Sequence, residues 1–438
     1  MRKLLLHIAA FCTEERVRRY PTIIAITFFL VWIGGFLLNR QDRTVDAWGK
    51  FLGNDFVAFY TGGSFLLQNR LDDLYNLGAQ HTFQQSLTHV ELAQTSPFIN
   101  PPYATLLYAP FAAIHDYLLA IIAWYALGIL AIFLSAKLVK QSGPLFDHTR
   151  LKWLIAQVIL IPPFLLWLGY GQATPFVLLI LSASYSTLTR EQPVRSGIIL
   201  GCLAFKPQLA LGLVLVMLIR TRIKALISGF ITLLCWISIG ALWMPDAMNT
   251  WWSMRSQWID MLRDPTYPSW GVCSLYGFFN TLIAPINTTL ADSLTVLTSL
   301  ALIIALGKML WDGRSSPLSS IPNQARLAIV LMCSPLLSIQ YYTYDLVLCV
   351  LPIWIIYAIS TTTAQPQKKT YLDGAEVLAM TAILGATTLL GPLFLSMQLE
   401  WFKSFHLPPV GIQPVTLVII AWSFYVYKRY VKAINTAS

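Results

Sequence analysis

Long apolar runs separated by short polar breaks make up most of this chain, and the runs have the length of membrane crossings. Taken in order, they predict spans at about Pro21–Leu38, Tyr117–Ala136, Trp153–Leu168, Thr174–Leu188, Ala225–Trp243, Leu290–Leu310, Leu327–Ile339, Leu346–Ile359, Ala375–Leu395 and Ile412–Tyr427. Ser196–Ile219 is long enough for one more, but Lys206-Pro207-Gln208 sits in its middle. A lysine at the bilayer midplane is costly and proline breaks helical hydrogen bonding, so two short helices meeting at Lys206-Pro207 are expected. Tyr103–Ile114, interrupted by Pro110, reads as an interfacial or re-entrant piece. The sum is an all-α polytopic membrane protein of about twelve transmembrane helices.

Charge placement orients the spans. The chain carries a formal +10, yet its cations gather in the breaks, as in Arg220-Thr221-Arg222-Ile223-Lys224, Lys368-Lys369 and Lys428-Arg429. That is the cytoplasmic signature of a membrane protein, not the continuous basic surface of a nucleic-acid binder. It places both termini in the cytoplasm and leaves two outer segments, 39–103 and 244–289. Residues 1–20 read as a cytoplasmic amphipathic segment without a signal-peptide cleavage pattern, and 21–438 as a single transmembrane domain. Composition agrees: 56% of residues are hydrophobic and 11% charged, well below the roughly 25% of a soluble protein.

The first outer segment holds the most informative polar residues. A helix is expected to begin at Asn54 or Asp55 and to carry Phe56, Val57, Phe59, Tyr60 and Phe65 along the membrane surface. Asp55 has two readings here: it caps that helix, or it deprotonates a hydroxyl of a substrate held at the interface. Most other outward-facing acids, Asp42 and Asp46 among them, read as solvated. Lys206, flanked by Leu203-Ala204-Phe205 and Leu209-Ala210-Leu211, needs a partner such as a lipid phosphate or a buried carboxylate, with Asp345 the candidate. Asp345 ends the run Gln340-Tyr341-Tyr342-Thr343-Tyr344-Asp345 at an outer helix end, where it could orient a sugar hydroxyl or pair Lys206. Gln172 and Gln208 are uncharged and could simply bond helix to helix. The six cysteines and six histidines show no metal-ligand or disulfide spacing, and no phosphate-binding glycine loop or catalytic triad emerges.

In order, Asp55-Phe56, Asn100-Pro101-Pro102-Tyr103, Gly171-Gln172, Lys206-Pro207-Gln208 and Tyr344-Asp345-Leu346-Val347-Leu348 resemble glycosyltransferase family 87, a group of the GT-C superfamily. The resemblance implies a GT-C-like bundle with a catalytic outer first loop. It also implies inverting transfer of a sugar, mannose-like in the first instance, from a polyprenyl-phosphate donor at the outer face of a bacterial inner membrane. Asp55 is then the base and no cofactor is expected; a glycolipid or lipid-linked glycan is the expected acceptor, and a protein hydroxyl suits an outward-facing site as well. Tyr60, Asn100, Tyr103, Gln172, Lys206, Gln208, Arg255, Tyr344 and Asp345 are the expected substrate-binding residues, with Lys206 and Arg255 facing the departing phosphate. Mannosyl- and arabinofuranosyltransferases of the family carry a histidine in the region of Gln340–Asp345, where this chain has tyrosines. Two other functions fit the same spans: a flippase for a lipid-linked glycan, which needs no base, and an inactive scaffold, which needs none of these side chains.

Overall fold

The structure, a computed structural model, describes residues 42–45, 50–92, 94–159, 161–263, 271–363 and 411–432, with isolated positions in the first apolar run. The N-terminal segment, nearly all of the span predicted at Pro21–Leu38, Asp46, Lys368-Lys369 and the span predicted at Ala375–Leu395 lie outside the described residues.

The described chain is helical, and its only β-type pairings are two isolated bridges, Val45 with Phe51 and Val272 with Tyr342. Residues 50–112 contribute α1 (Phe56–Leu67), α2 (Leu77–Gln85) and α3 (Thr105–Ala112). There follow α4 (Tyr117–Lys140), α5 (Leu151–Ile159), α6 (Pro162–Tyr170), α7 (Thr174–Thr189), α8 (Pro193–Gly201), α9 (Leu211–Ile219) and α10 (Ile223–Trp243). Residues 244–289 hold α11 (Pro245–Ser253), α12 (Arg255–Arg263) and α13 (Leu275–Leu282). Then come α14 (Thr288–Asp312), α15 (Ile321–Cys333), α16 (Val350–Thr363) and α17 (Pro414–Val426).

Among the described residues, four helical stretches are long and apolar enough to cross a membrane: Tyr117–Lys140, Ile223–Trp243, Thr288–Asp312 and Thr343–Thr362. A fifth arises if α5 and α6, bent by 65°, are one broken crossing. Crossing helices start and stop where polar chemistry dictates. The Asp116 carboxylate accepts from the Leu119 amide at 2.9 Å to open α4, which ends on Lys137 and Lys140. Asn287 opens α14 in the same way, accepting from Leu290 N at 2.9 Å.

The segment around Lys206 is two pieces, as its lysine and proline predict. Short 3₁₀ turns at Cys202–Phe205 and Pro207–Ala210 flank Lys206, whose backbone (φ −143°, ψ 60°) is not helical. The far ends of this pair meet again: Arg222, after α9, pairs with Glu191, before α8, at 2.6 Å. The segment is therefore a hairpin with Lys206 at its tip, and a single kinked crossing is excluded. Close packing of α8 on α10 depends on glycine, since a Cβ at Gly197 would lie 2.0 Å from the Ala225 carbonyl oxygen and one at Gly201 2.6 Å from that of Gly229.

Side-chain contacts draw the basic breaks to one end of the bundle. Arg190 donates to the Gln141 carbonyl, Arg222 pairs with Glu191, and Arg220 donates to the carbonyls of Gly313 and Ser316 at 2.6 and 2.5 Å. Thr362 reaches Leu145 O at 3.3 Å from the far end of α16.

Two expectations for the outer segment change. Helix α1 does not lie on the membrane surface with one greasy face; every residue from Phe56 to Phe65 is buried. A helix apolar all round becomes a core helix, and Gly62 and Gly63 make that possible. A Cβ at Gly62 would sit 2.6 Å from the Phe98 ring and one at Gly63 2.8 Å from the Tyr108 backbone. Asp42 is not solvated either. Its carboxylate accepts from Thr44 N at 2.7 Å, Thr44 Oγ1 at 2.6 Å, Thr88 Oγ1 at 2.5 Å and His89 N at 2.7 Å. Burial alone would raise its pKa, but these four donors outweigh it and hold the group at about 2. The stability it contributes is present above the ordinary carboxylate range and lost as pH falls from about 4 to about 2. Asp42→Ala is expected to cost about 2 kcal/mol in unfolding at pH 7. That deficit should vanish near pH 2.

Candidate active site

Two loops cross where the outer segment meets the bundle, and glycine lets them touch. Gly53 and Gly171 both have φ of +69°. A Cβ on Gly171 would lie 2.8 Å from Phe56 Cβ and 3.0 Å from Gly53 Cα. Indole and phenol donors clamp the crossing: Trp124 Nε1 to Gly171 O at 2.8 Å, Trp167 Nε1 to Gln172 O at 2.7 Å and Tyr117 OH to Leu52 O at 2.7 Å. The amide of Asp55 itself donates to Tyr170 O at 2.8 Å. Gly171→Ala combines a left-handed backbone with a steric clash, so it is expected to lose more than about 1 kcal/mol of stability and most activity. Thermal unfolding and a transfer assay on the same preparation check both.

Asp55 stands at the cap position of α1 without capping it. Its backbone is in the helical region (φ −92°, ψ −25°) and its side chain makes no cap hydrogen bond. Asn76, Asp116 and Asn287, which do cap helices, all have extended backbones with ψ between 105° and 116°. The Asp55 carboxylate turns instead to Gln172, accepting from its Nε2 at 2.7 Å through Oδ2. The same nitrogen lies 3.3 Å from the Tyr344 hydroxyl. On its other side Gln172 accepts from Lys206 Nζ through Oε1 at 3.0 Å. Lys206 lies 3.6 Å from Asp345 Oδ1, with the two side chains 13% and 3% exposed. Asp345 Oδ1 also accepts from Thr174 Oγ1, at the start of α7, at 2.8 Å. Tyr344 is flanked by aromatic rings, stacked on Tyr342 at 5.5 Å between centroids and tilted against Tyr170 at 5.2 Å.

The result is a continuous polar chain, Asp55–Gln172–Lys206–Asp345–Thr174. Its electrostatics are asymmetric. Burial pushes Asp55 up to about 6, and the nearby Asp345 adds to that, while Gln172, Lys206 and Tyr344 pull the other way. A carboxylate poised there can accept a proton near neutral pH. Among the described residues no three His, Cys, Asp or Glu side chains converge as a metal site would require.

The structure thus brings Asp55, Gln172, Lys206, Tyr344 and Asp345 together. Tyr103 supports them from outside: its hydroxyl donates to Ala204 O at 3.0 Å and pins the hairpin beside Lys206. Four expected binding residues lie apart. Tyr60 is buried with its hydroxyl on the carbonyls of Ile114 and His115 at 3.0 and 3.2 Å. Asn100 is occupied within the outer segment, by Tyr108 OH at 3.3 Å and by Tyr75, which donates to its carbonyl at 2.7 Å. Gln208 is half-buried on the turn after Pro207, without a hydrogen bond to the cluster. Arg255 is exposed and stacks on Trp252 at 4.4 Å. Thr174 and Tyr170 are members that the sequence did not mark; a threonine opening a helix reads as a cap, and a tyrosine at a helix end as an interface anchor.

No curated protein and no solved structure matches the chain. The family model of glycosyltransferase family 87 matches residues 98–335, more than half of the sequence. The matched region includes Tyr103, Gln172 and Lys206, and the fold carries Asp55 and Asp345 to them from either side of it. With its all-helical build, its membrane-length apolar helices and this match, the chain belongs to glycosyltransferase family 87 and is a membrane glycosyltransferase.

Proposed function

We propose that this enzyme transfers a hexose or pentose, in the first instance a mannose-like sugar, from a polyprenyl-phosphate donor to a hydroxyl of a glycolipid or lipid-linked glycan, with inversion. The acceptor oxygen attacks the anomeric carbon as its proton passes to Asp55. The bond from that carbon to the phosphate oxygen breaks, and the electron pair leaves with polyprenyl phosphate. Lys206 stabilises the charge that develops there. Polyprenyl phosphate is already a competent leaving group, so one base and one cation suffice.

The observation that carries this reading is the spacing of base and cation across one amide. Contacts of 2.7 and 3.0 Å on the two ends of Gln172 put the Asp55 oxygen and the Lys206 nitrogen at most about 8 Å apart. An acceptor oxygen within hydrogen-bond reach of the base and about 3 Å from the anomeric carbon leaves the departing oxygen within reach of such a cation. Lys206 has three donors; Gln172 takes one and Asp345 lies along a second, leaving capacity for a phosphate oxygen.

The same helices support an outward-facing site. Helix α7 runs from Thr174 in the cluster to Thr189 at the basic end, 16 residues or about 24 Å. Against a hydrocarbon core of about 30 Å, this supports a site near the outer face of the cytoplasmic membrane. The fuller topology is about twelve crossings, with both termini in the cytoplasm and residues 39–103 and 244–289 outside.

Purified protein in lipid, supplied with labelled polyprenyl-phosphate sugars and membrane glycolipid, is expected to transfer sugar from one donor class. Movement of a lipid-linked glycan across the bilayer, with no transfer from any donor, would replace the enzyme with a flippase.

A further inference from the structure

Gln172 hydrogen-bonds both Asp55 and Lys206, through the two ends of one amide. Its orientation is fixed by chemistry. An ammonium donates only, so the amide oxygen must face Lys206, and the NH₂ group must then face Asp55. We propose that Gln172 is a positioning residue: held by Lys206, its amide anchors Asp55 Oδ2 and sets the orientation and basicity of the base from the phosphate side of the site. This deepens the proposed function and rests on Asp55 being its base.

The environment gives Gln172 that leverage. Asp55 faces Lys206 at the hairpin tip, Asp345 and Tyr344 before α16, and Tyr170 at the end of α6. On its own helix the nearest ionisable group, Tyr60, turns away to carbonyls of the α3–α4 connection. Asp55 has no cap bond to hold it. The Gln172 bond, at 2.7 Å, is the largest influence opposing the upward push of burial. The backbone around Gln172 is equally fixed, by Trp124 on Gly171 O and Trp167 on Gln172 O, so an altered side chain leaves the loop in place.

Gln172→Met keeps the length and removes both hydrogen bonds; Gln172→Glu keeps the acceptor for Lys206 and sets a negative charge against Asp55. Both are expected to lower kcat about tenfold or more and to move the acid limb of the pH–rate profile upward by about one unit, Gln172→Glu further than Gln172→Met. A second readout needs no transfer assay. The stability difference between the enzyme and its Asp55→Asn variant, followed by thermal unfolding across pH, stops changing once pH passes the folded-state pKa of Asp55, and that upper bend reports its ionisation. In a Gln172→Met or Gln172→Glu background the bend should rise by the same amount.

An unchanged bend and acid limb in the variant that folds would overturn the role of Gln172, even if both variants lose activity. Full activity in Asp55→Asn would instead remove the base assignment, and the bend in the stability difference would still show whether Gln172 controls that carboxylate.

Discussion

Asp55→Asn is expected to lower sugar transfer by about 10²–10⁴-fold, the usual contribution of a positioned general base. Asparagine keeps the shape and can still meet Gln172, so donor binding should change little and the loss should fall on kcat. The pH dependence of the unsubstituted enzyme is a companion result. A base with a pKa of about 6 must be ionised to work, so the rate should climb through pH 6 and level off above 7. Stability should run the opposite way. The folded-state pKa lies above the ordinary carboxylate value of 3.8, so the folded protein favours the protonated group, and that contribution is lost as pH rises through 6. At pH 7.5 the asparagine variant should therefore be the more stable protein, by up to about 3 kcal/mol, and at pH 4 the two should nearly coincide. A variant that is inactive because it misfolds would be less stable at neutral pH, so unfolding separates the two cases. Transfer that survives the substitution would move the base elsewhere, with Asp345 next.

The parts of this site that the sequence made legible are those where apolar surroundings leave a charge no alternative. Lys206, between two apolar triplets, demanded a carboxylate or phosphate, and Asp345 now stands 3.6 Å away. The same energetics broke its helix in two, and the Glu191–Arg222 pair returns both arms to one end. Gln172 was not legible as the centre of the cluster, because a neutral amide has no comparable cost and gives no sign of its partners. Arg255 was ambiguous for a related reason: a cation in an aromatic-rich segment suits a phosphate as well as it suits the face of Trp252, on which it stacks. The burial of α1 was hidden by its own glycines. Their small surface, which lets Phe98 and Tyr108 close over the helix, contributes nothing to an apolar pattern.

Lys206→Met should be as inactive as Asp55→Asn but for a different reason, and a second substitution separates its two effects. Removing a cation aimed at the departing phosphate is expected to cost about 10²–10³-fold in transfer. It also strands Asp345, 3% exposed, with Thr174 as its remaining side-chain donor. Breaking a buried ion pair from one side costs about 3–5 kcal/mol, whereas removing both charges together is close to neutral. Lys206→Met with Asp345→Asn should therefore recover most of the lost stability while staying inactive. Asp345→Asn alone leaves the lysine in place with Gln172 as its partner, so transfer should fall less than in either Lys206 variant. If the double variant regained transfer along with stability, Lys206 would be a structural counter-ion and the phosphate would have to be held elsewhere. If stability stayed low while both charges were gone, the pair would not be what holds the hairpin tip, and Tyr103, bonded to Ala204 O, would be the group to test.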